Sequence, residues 1–587
     1  MNLHAIYHKQ KSNYAYACGN QELHIRLRTA KDDCLGVNIV IAEKHLWSGK
    51  ETHSMKKIAS DHLFDYYQYE SRIKISRVGY YFELSDKEEK WIYSESGFTK
   101  AYDDENAYFH YFQFPYLNEA DVLTVPSWTK NAVFYEIFVE RFCNGDREND
   151  KKELTPWGEA LGPHSFYGGD LKGILDKLEY LQKLGINALY LTPVFTSPSN
   201  HKYDTVDYRE IDPMFGDKEL LCRLVDKAHE KGIRIILDGV FNHSSWYFAP
   251  FLDVVEKGEA SRYKDWFYIK NYPVTRFSEE EVRDYSKPLD LSGLNYSVFG
   301  TSPHMPKLNT ENRELRKYLL DTAAYWMKEA KIDGWRLDVS DEISHDFWRE
   351  FRKTVKEINP EALIIGENWH NAYPWLMGDQ FDGVMNYPFT KSAIQFFATG
   401  EKEAEDLAAD LSGYLMWNYR QANSCMLNLL DSHDTMRFLR WCGEDTGKLK
   451  MALMLLFTYT GMPCLYYGTE IGMTGGGDPD CRRTFDWNER NWNRDLKSFC
   501  ETLITLRKTK EALSSGEITM TAKDGIFYLA RSCRGKEIIT VLNHTEREAP
   551  IGLLDRGTVL LATGEIKNNV LKACSGAIIE TEKAMGG

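Results

Sequence analysis

From Ala132 onward the chain repeats one unit: a short apolar run, a loop, then an amphipathic stretch. The apolar runs are Val133–Phe138, Ala188–Leu191, Arg234–Leu237, Gly334–Leu337, Leu363–Ile365, Gly383–Met385, Met426–Leu430 and Cys464–Tyr467. Runs this short and this apolar read as strands buried on both faces. Between them, stretches such as Leu171–Leu184, Lys218–Lys231 and Asn312–Ala330 place apolar residues at helical spacing. Strands that alternate with helices pair in parallel, because the helix returns the chain to the start of the next strand. Eight such units predict a (β/α)8 barrel, with its chemistry at the C-terminal strand ends. One connection breaks the rhythm. Residues 241–309 are too many for a loop and predict a subdomain inserted after the third strand.

Those strand ends are charged. Gly334-Trp335-Arg336-Leu337-Asp338-Val339 carries an Arg and an Asp two residues apart, on one side of a strand. The third run ends in Asp238-Gly239-Val240-Phe241-Asn242-His243, the fifth in Gly366-Glu367-Asn368-Trp369 and the seventh in Asp431-Ser432-His433-Asp434. A single acid at a strand end is as readily a helix cap or a structural ion pair. Four, joined by two histidines and an arginine, are hard to explain as caps. Several carboxylates around one pocket suit hydrolysis of a glycosidic bond, where one attacks and another protonates the leaving oxygen. A third stabilises the oxocarbenium-like transition state. The substrate of such a reaction is neutral, so the charges are not needed simply to bind it.

At 587 residues the chain exceeds a single core, and three or four domains are expected. Residues 1–125 show β-like runs such as Leu23–Leu27, Arg72–Ile75 and Tyr80–Leu84, separated by turn residues, which predict a β-sandwich. A linker at Val125–Trp128 leads into the barrel domain, 126–510. Gly525–Ala530, Glu537–Leu542 and Thr558–Leu561 predict a C-terminal β-sandwich domain over 511–587. The net charge of -15 argues against nucleic acid or an anionic membrane as partner. Eleven scattered cysteines without CxxC pairs suggest reduced thiols and a cytoplasmic protein. The first twenty residues hold no apolar signal-like core. The most apolar run, Met451 to Tyr467, is broken by Thr458, Thr460, Gly461 and Pro463, and fits a buried helix and strand better than a membrane span.

Taken in order, the four strand-end motifs resemble those of the α-amylase superfamily of glycoside hydrolases. His304-Met305-Pro306-Lys307-Leu308-Asn309, at the end of the insertion, resembles the neopullulanase, cyclomaltodextrinase and maltogenic amylase branch. The resemblance covers the N-terminal β domain, the barrel and the C-terminal β domain. It implies Asp338 as nucleophile, with Arg336 keeping it ionised, Glu367 as general acid/base and Asp434 as the third acid. It also implies that His243 and His433 hydrogen-bond the sugar at the cleavage site, with Tyr203 as the platform beneath it. Trp369 and Phe299 match aromatics of the leaving-group subsites, although Phe299 reads equally well as a packing aromatic. Asp478 and Arg482 resemble residues that hold the sugar on the non-reducing side. Asp238 is expected to be a structural or indirect partner. One departure is Val339-Ser340-Asp341-Glu342, where the branch more often has Ala-Asn-Glu; the extra carboxylate, Asp341, bears on acceptor preference.

A separate cluster follows the first strand. Asn144-Gly145-Asp146-Arg147-Glu148-Asn149-Asp150, with Gly168 and Asp170 downstream, crowds hard oxygen donors into a turn, which suits Ca2+. An EF-hand would need Glu at the twelfth position, where Thr155 stands. An ordinary Asn/Asp-rich turn has the same composition, and resemblance to a calcium loop of this branch favours the metal.

The resemblance as a whole implies a retaining hydrolase of α-1,4 bonds in cyclodextrins, maltooligosaccharides and pullulan, with some transglycosylation. Preference for α-1,6 bonds, or a mainly transferase activity, would keep the same chemistry. A catalytically silent carbohydrate-binding or interaction protein is the alternative from another class, and the presence of both Asp338 and Glu367 speaks against it. The branch also implies a homodimer built through the N-terminal domain.

Overall fold

The computed structural model describes residues 1–582 apart from 20–21, 73–75, 160, 284–288, 290, 554–556 and 567. Its centre is a parallel barrel of β1 (Phe134–Ile137), β2 (Ala188–Leu191), β3 (Arg234–Gly239), β4 (Gly334–Leu337), β5 (Leu363–Gly366), β6 (Gly383–Val384), β7 (Leu427–Asn428) and β8 (Met462–Tyr466). The order around the sheet is β6-β5-β4-β3-β2-β1-β8-β7, and a parallel bridge from Met385 to Leu427 completes the ring. Closure there is tight. A side chain on Gly383 would meet the Cys425 carbonyl oxygen at 2.0 Å, so only glycine lets β6 approach β7.

The period-two alternation of each strand sorts its residues between two cores. Tyr135, Leu189, Leu191, Ile235 and Leu237 face outward and join the cluster packed by the surrounding helices. Phe134, Ala188, Tyr190, Ile236, Leu363 and Ile365 face inward and fill the barrel with Met385, Leu427 and Met462. Two positions further along, the same inward faces present Glu136, Asp238 and Glu367. The barrel is therefore apolar at its base and acidic at its rim. The helices that enforce this are capped as their sequences dictate: Asp170, Asp217, Asn312 and Ser344 each accept a backbone N–H of the first turn of the helix that follows.

The chain between β3 and β4 forms a subdomain of short helices, including Ala249–Lys257, stitched by single bridges such as Phe267–Leu308 and Val298–Pro306. Residues 1–114 form two antiparallel sheets around their own apolar core. Leu23–Leu27 and Tyr80–Leu84 lie inside strands Glu22–Ala30 and Val78–Ser85. Of the predicted run Arg72–Ile75, Arg72 ends strand Phe64–Arg72 and residues 73–75 lie outside the described residues. After helix Arg494–Thr509, the C-terminal region forms a five-stranded antiparallel sheet with a small two-stranded sheet beside it. Met451 to Tyr467 is a buried helical segment followed by β8. No helix among the described residues is long and apolar enough to cross a membrane.

Candidate active site

Arg336 organises the rim. It is the third residue of β4, points inward and is 1% exposed. Its Nη1 lies 3.0 Å from both oxygens of Asp238 and 2.9 Å from Oδ1 of Asp338. Its Nη2 lies 3.0 Å from Oε2 of Glu367. One guanidinium thus serves three carboxylates from three adjacent strands. Asp238 is its main hydrogen-bond partner and also accepts from Tyr190 at 2.6 Å and Tyr203 at 3.0 Å, which gives Asp238 the supporting place expected of it.

This sharing limits what Arg336 does for Asp338, which it favours in the ionised form by charge and by a hydrogen bond. The sequence reading has it keeping Asp338 ionised, yet its charge is divided among three acids. Burial, and then the adjacent Glu367 carboxylate, push Asp338 well above the ordinary carboxylate range, and Arg336 opposes them only in part. The negative charge of Glu367 beside it is thus one of the reasons Asp338 holds its proton more tightly than an exposed carboxyl. Asp338 Oδ2 and the buried His243 Nε2 have no protein partner. Both are polar atoms that a sugar hydroxyl or anomeric carbon can meet. Burial, with the positive charge of Lys307 nearby, holds His243 down at about 3, so it is neutral at the rim.

The turn after Asp338 ties β4 to β5. Val339, a β-branched residue, sits at φ +44°, a left-handed conformation that costs about 1–2 kcal/mol. Its N–H donates to Glu367 Oε2 at 2.8 Å, and the Ser340 hydroxyl lies 2.8 Å from the Glu367 carbonyl oxygen and 2.9 Å from Asn368 Oδ1. Ser340, part of the departure from the family pattern, therefore helps hold the acid/base loop. Asp341 lies at the solvent edge of the rim, where partial desolvation of its carboxyl and then the Glu367 charge raise it.

On the opposite wall, Asp434 is half-buried, with His433 Nε2 at 3.2 Å and Arg482 Nη2 at 3.4 Å. Burial would raise Asp434, but His433, Arg482 and Arg336 outweigh it and hold the carboxyl below its usual range. Tyr203 lies parallel to His433, rings 5.4 Å apart and tilted by 7°. Arg482 also reaches Asp478 at 2.9 Å and the His433 carbonyl at 2.8 Å. Phe299 stacks on His243 at 4.8 Å, and Trp369 stacks on Tyr387 at 3.7 Å while its indole N–H reaches Glu367 Oε1 at 3.2 Å. Both aromatics are exposed or half-exposed beside the acids. Phe299 thus comes to the site from the insertion, where packing alone would have left it covered.

Two supporting residues escaped the sequence reading. Glu136, at the inward rim position of β1, accepts from His433 Nδ1 at 2.6 Å and from its backbone N–H at 3.1 Å. Burial would lower His433, but Asp434 and Glu136 raise it. Tyr190 anchors Asp238 in the same layer. An acid inside an apolar strand run was the available signal for Glu136.

The oxygen-rich turn sits apart from this rim. Asn144 Nδ2 donates to Asp150 Oδ1 at 2.8 Å, while the Oδ1 atoms of Asn144 and Asn149 are buried without a partner. Gly168 has φ +82°, and a side chain there would meet Asp150 Oδ1 at 2.3 Å. Asp170 has a different task. Its oxygens accept from the backbone of Gly145, Asp146 and Gly173 and from Asn149 Nδ2, fastening the turn to the helix it caps. The Asp146 side chain is exposed and accepts from the Glu148 N–H.

Residues 136–510 match the family described as alpha amylase, catalytic domain, and residues 1–118 the alpha amylase N-terminal ig-like domain. A cyclomaltodextrinase of Geobacillus thermopakistaniensis (strain MAS1) is 45% identical over 578 residues, covering 96% of each chain. Neopullulanase 2 of Thermoactinomyces vulgaris is 46% identical over 553 residues, covering 93% of this chain and 91% of its own. A solved cyclomaltodextrinase structure superposes with a TM-score of 0.90 at 42% identity, covering 99% of this chain and all of that one. Strand-end acids, insertion and flanking β domains agree with these matches, and the chain belongs to the α-amylase family.

Proposed function

We propose that the chain is a retaining hydrolase of α-1,4-glucosidic bonds in cyclodextrins, maltooligosaccharides and pullulan, with some transglycosylation. The observation that carries this reading is the placement of Asp338 and Glu367 on the two terminal nitrogens of one buried guanidinium. Carboxyl groups so placed suit the roughly 5–5.5 Å spacing of double displacement rather than the wider gap that admits an inverting water. Asp338 attacks the anomeric carbon through its unpartnered Oδ2 as Glu367 gives its proton to the leaving oxygen. The resulting glycosyl ester is opened by water, or by a second sugar hydroxyl, whose proton returns to Glu367. His243 and His433 hold the ring hydroxyls, and Asp434 steadies the positive charge that develops on the ring. Trp369 and Phe299 offer apolar faces to sugars on the leaving side, while Asp478 and Arg482 serve the other.

The test is the anomeric form of fresh product, followed by early-time NMR on β-cyclodextrin. The α-anomer is expected first; a β-anomer appearing first would overturn double displacement. Rates on β-cyclodextrin, pullulan, starch and isomaltose then rank the bonds, and faster cleavage of isomaltose would shift the assignment to an α-1,6 enzyme.

Ca2+ belongs to this reading as a structural ion. Asn144, Asn149, Asp150 and the backbone at Gly168 supply oxygens of the right kind, two of them unpartnered and buried. All eleven cysteines are free, which supports a cytoplasmic setting. A homodimer through the N-terminal domain completes the proposal.

A further inference from the structure

The N-terminal domain gathers a second set of chemically active side chains, far in sequence from the catalytic acids. Strand Ala15–Ala17 pairs antiparallel with Glu22–Ala30, which pairs in turn with Phe64–Arg72. Tyr16 stands opposite His24, and His24 stands opposite Glu70. The Cys18 N–H donates to the Glu22 carbonyl oxygen at 2.8 Å, so these two face each other across the mouth of the hairpin. Side chains two apart on a strand share a face. Cys18, Glu22, His24 and Glu70 therefore project from the same side of one sheet.

Three of them already converge. The Cys18 sulfur, a Glu22 oxygen and a His24 ring nitrogen lie within 4.8 Å of one another. His24 is fully buried, and its Nε2 lies 2.8 Å from Glu22 Oε1. Its Nδ1 lies 3.3 Å from the Tyr16 hydroxyl, the outer contact that fixes ring orientation in metal-binding histidines. Glu70, exposed and next in register, accepts from Gln68 Nε2 at 2.6 Å. It also lines a cleft of about 480 Å3 between this domain, the barrel and the C-terminal domain.

We propose that Cys18, Glu22 and His24 form a zinc site, with Glu70 or water as fourth ligand. The donor set selects the metal. Thiolate and imidazole are borderline-soft ligands that suit Zn2+ and are poor partners for Ca2+. Ligand bonds of about 2.0–2.3 Å place tetrahedral donors roughly 3.3–3.8 Å apart. From 4.8 Å the cluster contracts by about 1–1.5 Å while the 2.8 Å Glu22–His24 contact opens by about 0.5 Å, and Cys18, half-buried at the hairpin mouth, can supply the inward movement. The two anionic donors Cys18 and Glu22 balance the ion, and binding displaces the thiol proton.

The site has a structural consequence, because the same hairpin joins the N-terminal domain to the barrel. Tyr16 stacks on Tyr419 at 4.8 Å, Arg26 donates to the Asn418 carbonyl at 3.0 Å, and Gln421 Nε2 donates to the Ala17 carbonyl at 2.9 Å. A metal that fixes Tyr16 through His24 fixes that joint.

The full chain, stripped with chelator, is titrated with Co2+ and, separately, with Zn2+. One equivalent of Co2+ is expected to give a thiolate-to-cobalt charge-transfer band, which an oxygen-only calcium turn cannot produce. The band should vanish in Cys18→Ser and weaken in Glu22→Gln. Zn2+ at micromolar concentration should raise the melting temperature of the wild type but not of Cys18→Ser, while both proteins melt alike without metal and turn over β-cyclodextrin at the same rate. No charge-transfer band, a band that persists in Cys18→Ser, or Zn2+ binding only at millimolar concentration would each overturn the proposal. None of these outcomes touches the assignment of the catalytic acids.

Discussion

Asp338 answers two demands that pull against each other: it must be an anion to attack, and it stands in a buried group of three carboxylates with one guanidinium. The charge arithmetic predicts what replacing it does. An acid raised in the folded state contributes stability below its unfolded pKa and loses it as pH climbs through the folded value. Burial and Glu367 raise Asp338, so its ionised form at neutral pH destabilises the fold. Asp338→Asn is therefore expected to melt above the wild type at pH 7, with the gap narrowing toward pH ~4, where an unperturbed Asp takes up its proton. Its kcat should fall on the order of 10^4-fold or more, about 5 kcal/mol of lost barrier reduction. Glu367→Gln should lose activity on a similar scale. The checks are calorimetry across pH and turnover of purified variants. An Asp338→Asn protein that melts below the wild type at pH 7 would mean Arg336 outweighs the repulsion, and one retaining a tenth of the activity would remove Asp338 as nucleophile. Most of this rim was legible because charged residues at the ends of apolar runs have few uses. Glu136 and Tyr190 were not, since inside a run an inward residue and an outward one look alike until the strand's facing is known.

At the scale of elements, the turn after β1 carries the clearest claim about a metal. Asn144 Oδ1 and Asn149 Oδ1 are buried acceptors without donors, each costing about 1–3 kcal/mol if nothing meets it. A bound Ca2+ would meet both, at a turn distant from Asp338 in sequence and bonding. Chelation is expected to lower the melting temperature by several degrees while leaving the pH profile of turnover unchanged, and added Ca2+ should restore the loss. An unchanged melting curve with EDTA, together with no calcium by elemental analysis, would leave the turn as a hydrogen-bonded Asx structure. The sequence shows that this element is rich in oxygen donors, but not how they divide their labour. Asp170 is recruited as a cap by the helix beginning at Leu171, and only the fold shows its oxygens filled. The barrel strands teach a similar lesson. All eight lie within or against the predicted apolar runs, yet the ladder at β7 covers only Leu427–Asn428 of Met426–Leu430. Leu429 and Leu430 stay buried by packing without strand pairing, and hydrophobicity reports burial rather than hydrogen bonding.

The whole molecule raises the question of what the N-terminal domain is for, since the barrel alone holds the catalytic rim. Several of its aromatics are covered: Tyr66 and Tyr67 are buried, Trp47 packs on Tyr111, and Lys100 covers Trp91 at 3.6 Å. Tyr108 at 58%, Phe109 at 67% and Tyr116 at 51% exposure remain open, more so than Tyr7 at 39%, and the rings of Tyr108 and Phe109 lie 4.1 Å apart. Rigid aromatics of this kind are enriched at interfaces between subunits. The domain is also firmly seated on the barrel. Tyr14 and Tyr66 join the barrel's own apolar cluster, His62 reaches Asp410 at 2.9 Å, and Asn13 Nδ2 donates to the Met416 carbonyl at 2.9 Å. A rigid arm bearing exposed aromatics suits assembly better than independent binding of starch. The full chain is therefore expected to be a dimer by light scattering at micromolar concentration, through a twofold contact burying more than ~1,000 Å2. Replacing Tyr108 and Phe109 by Ser should weaken that dimer tenfold or more, since truncated aromatic anchors commonly cost about 2 kcal/mol or more each, with little change in melting temperature of the monomer. Removing residues 1–125 should also abolish the dimer, but at the price of stability, because it strips the contacts made by Tyr14, Tyr66 and His62. If the partner's N-terminal domain roofs the barrel mouth, the monomeric double variant will lose part of its preference for cyclodextrin over starch. A full-length chain that scatters as a monomer would end the assembly reading and return the exposed aromatics to carbohydrate binding, where starch affinity of the isolated arm is the next measurement.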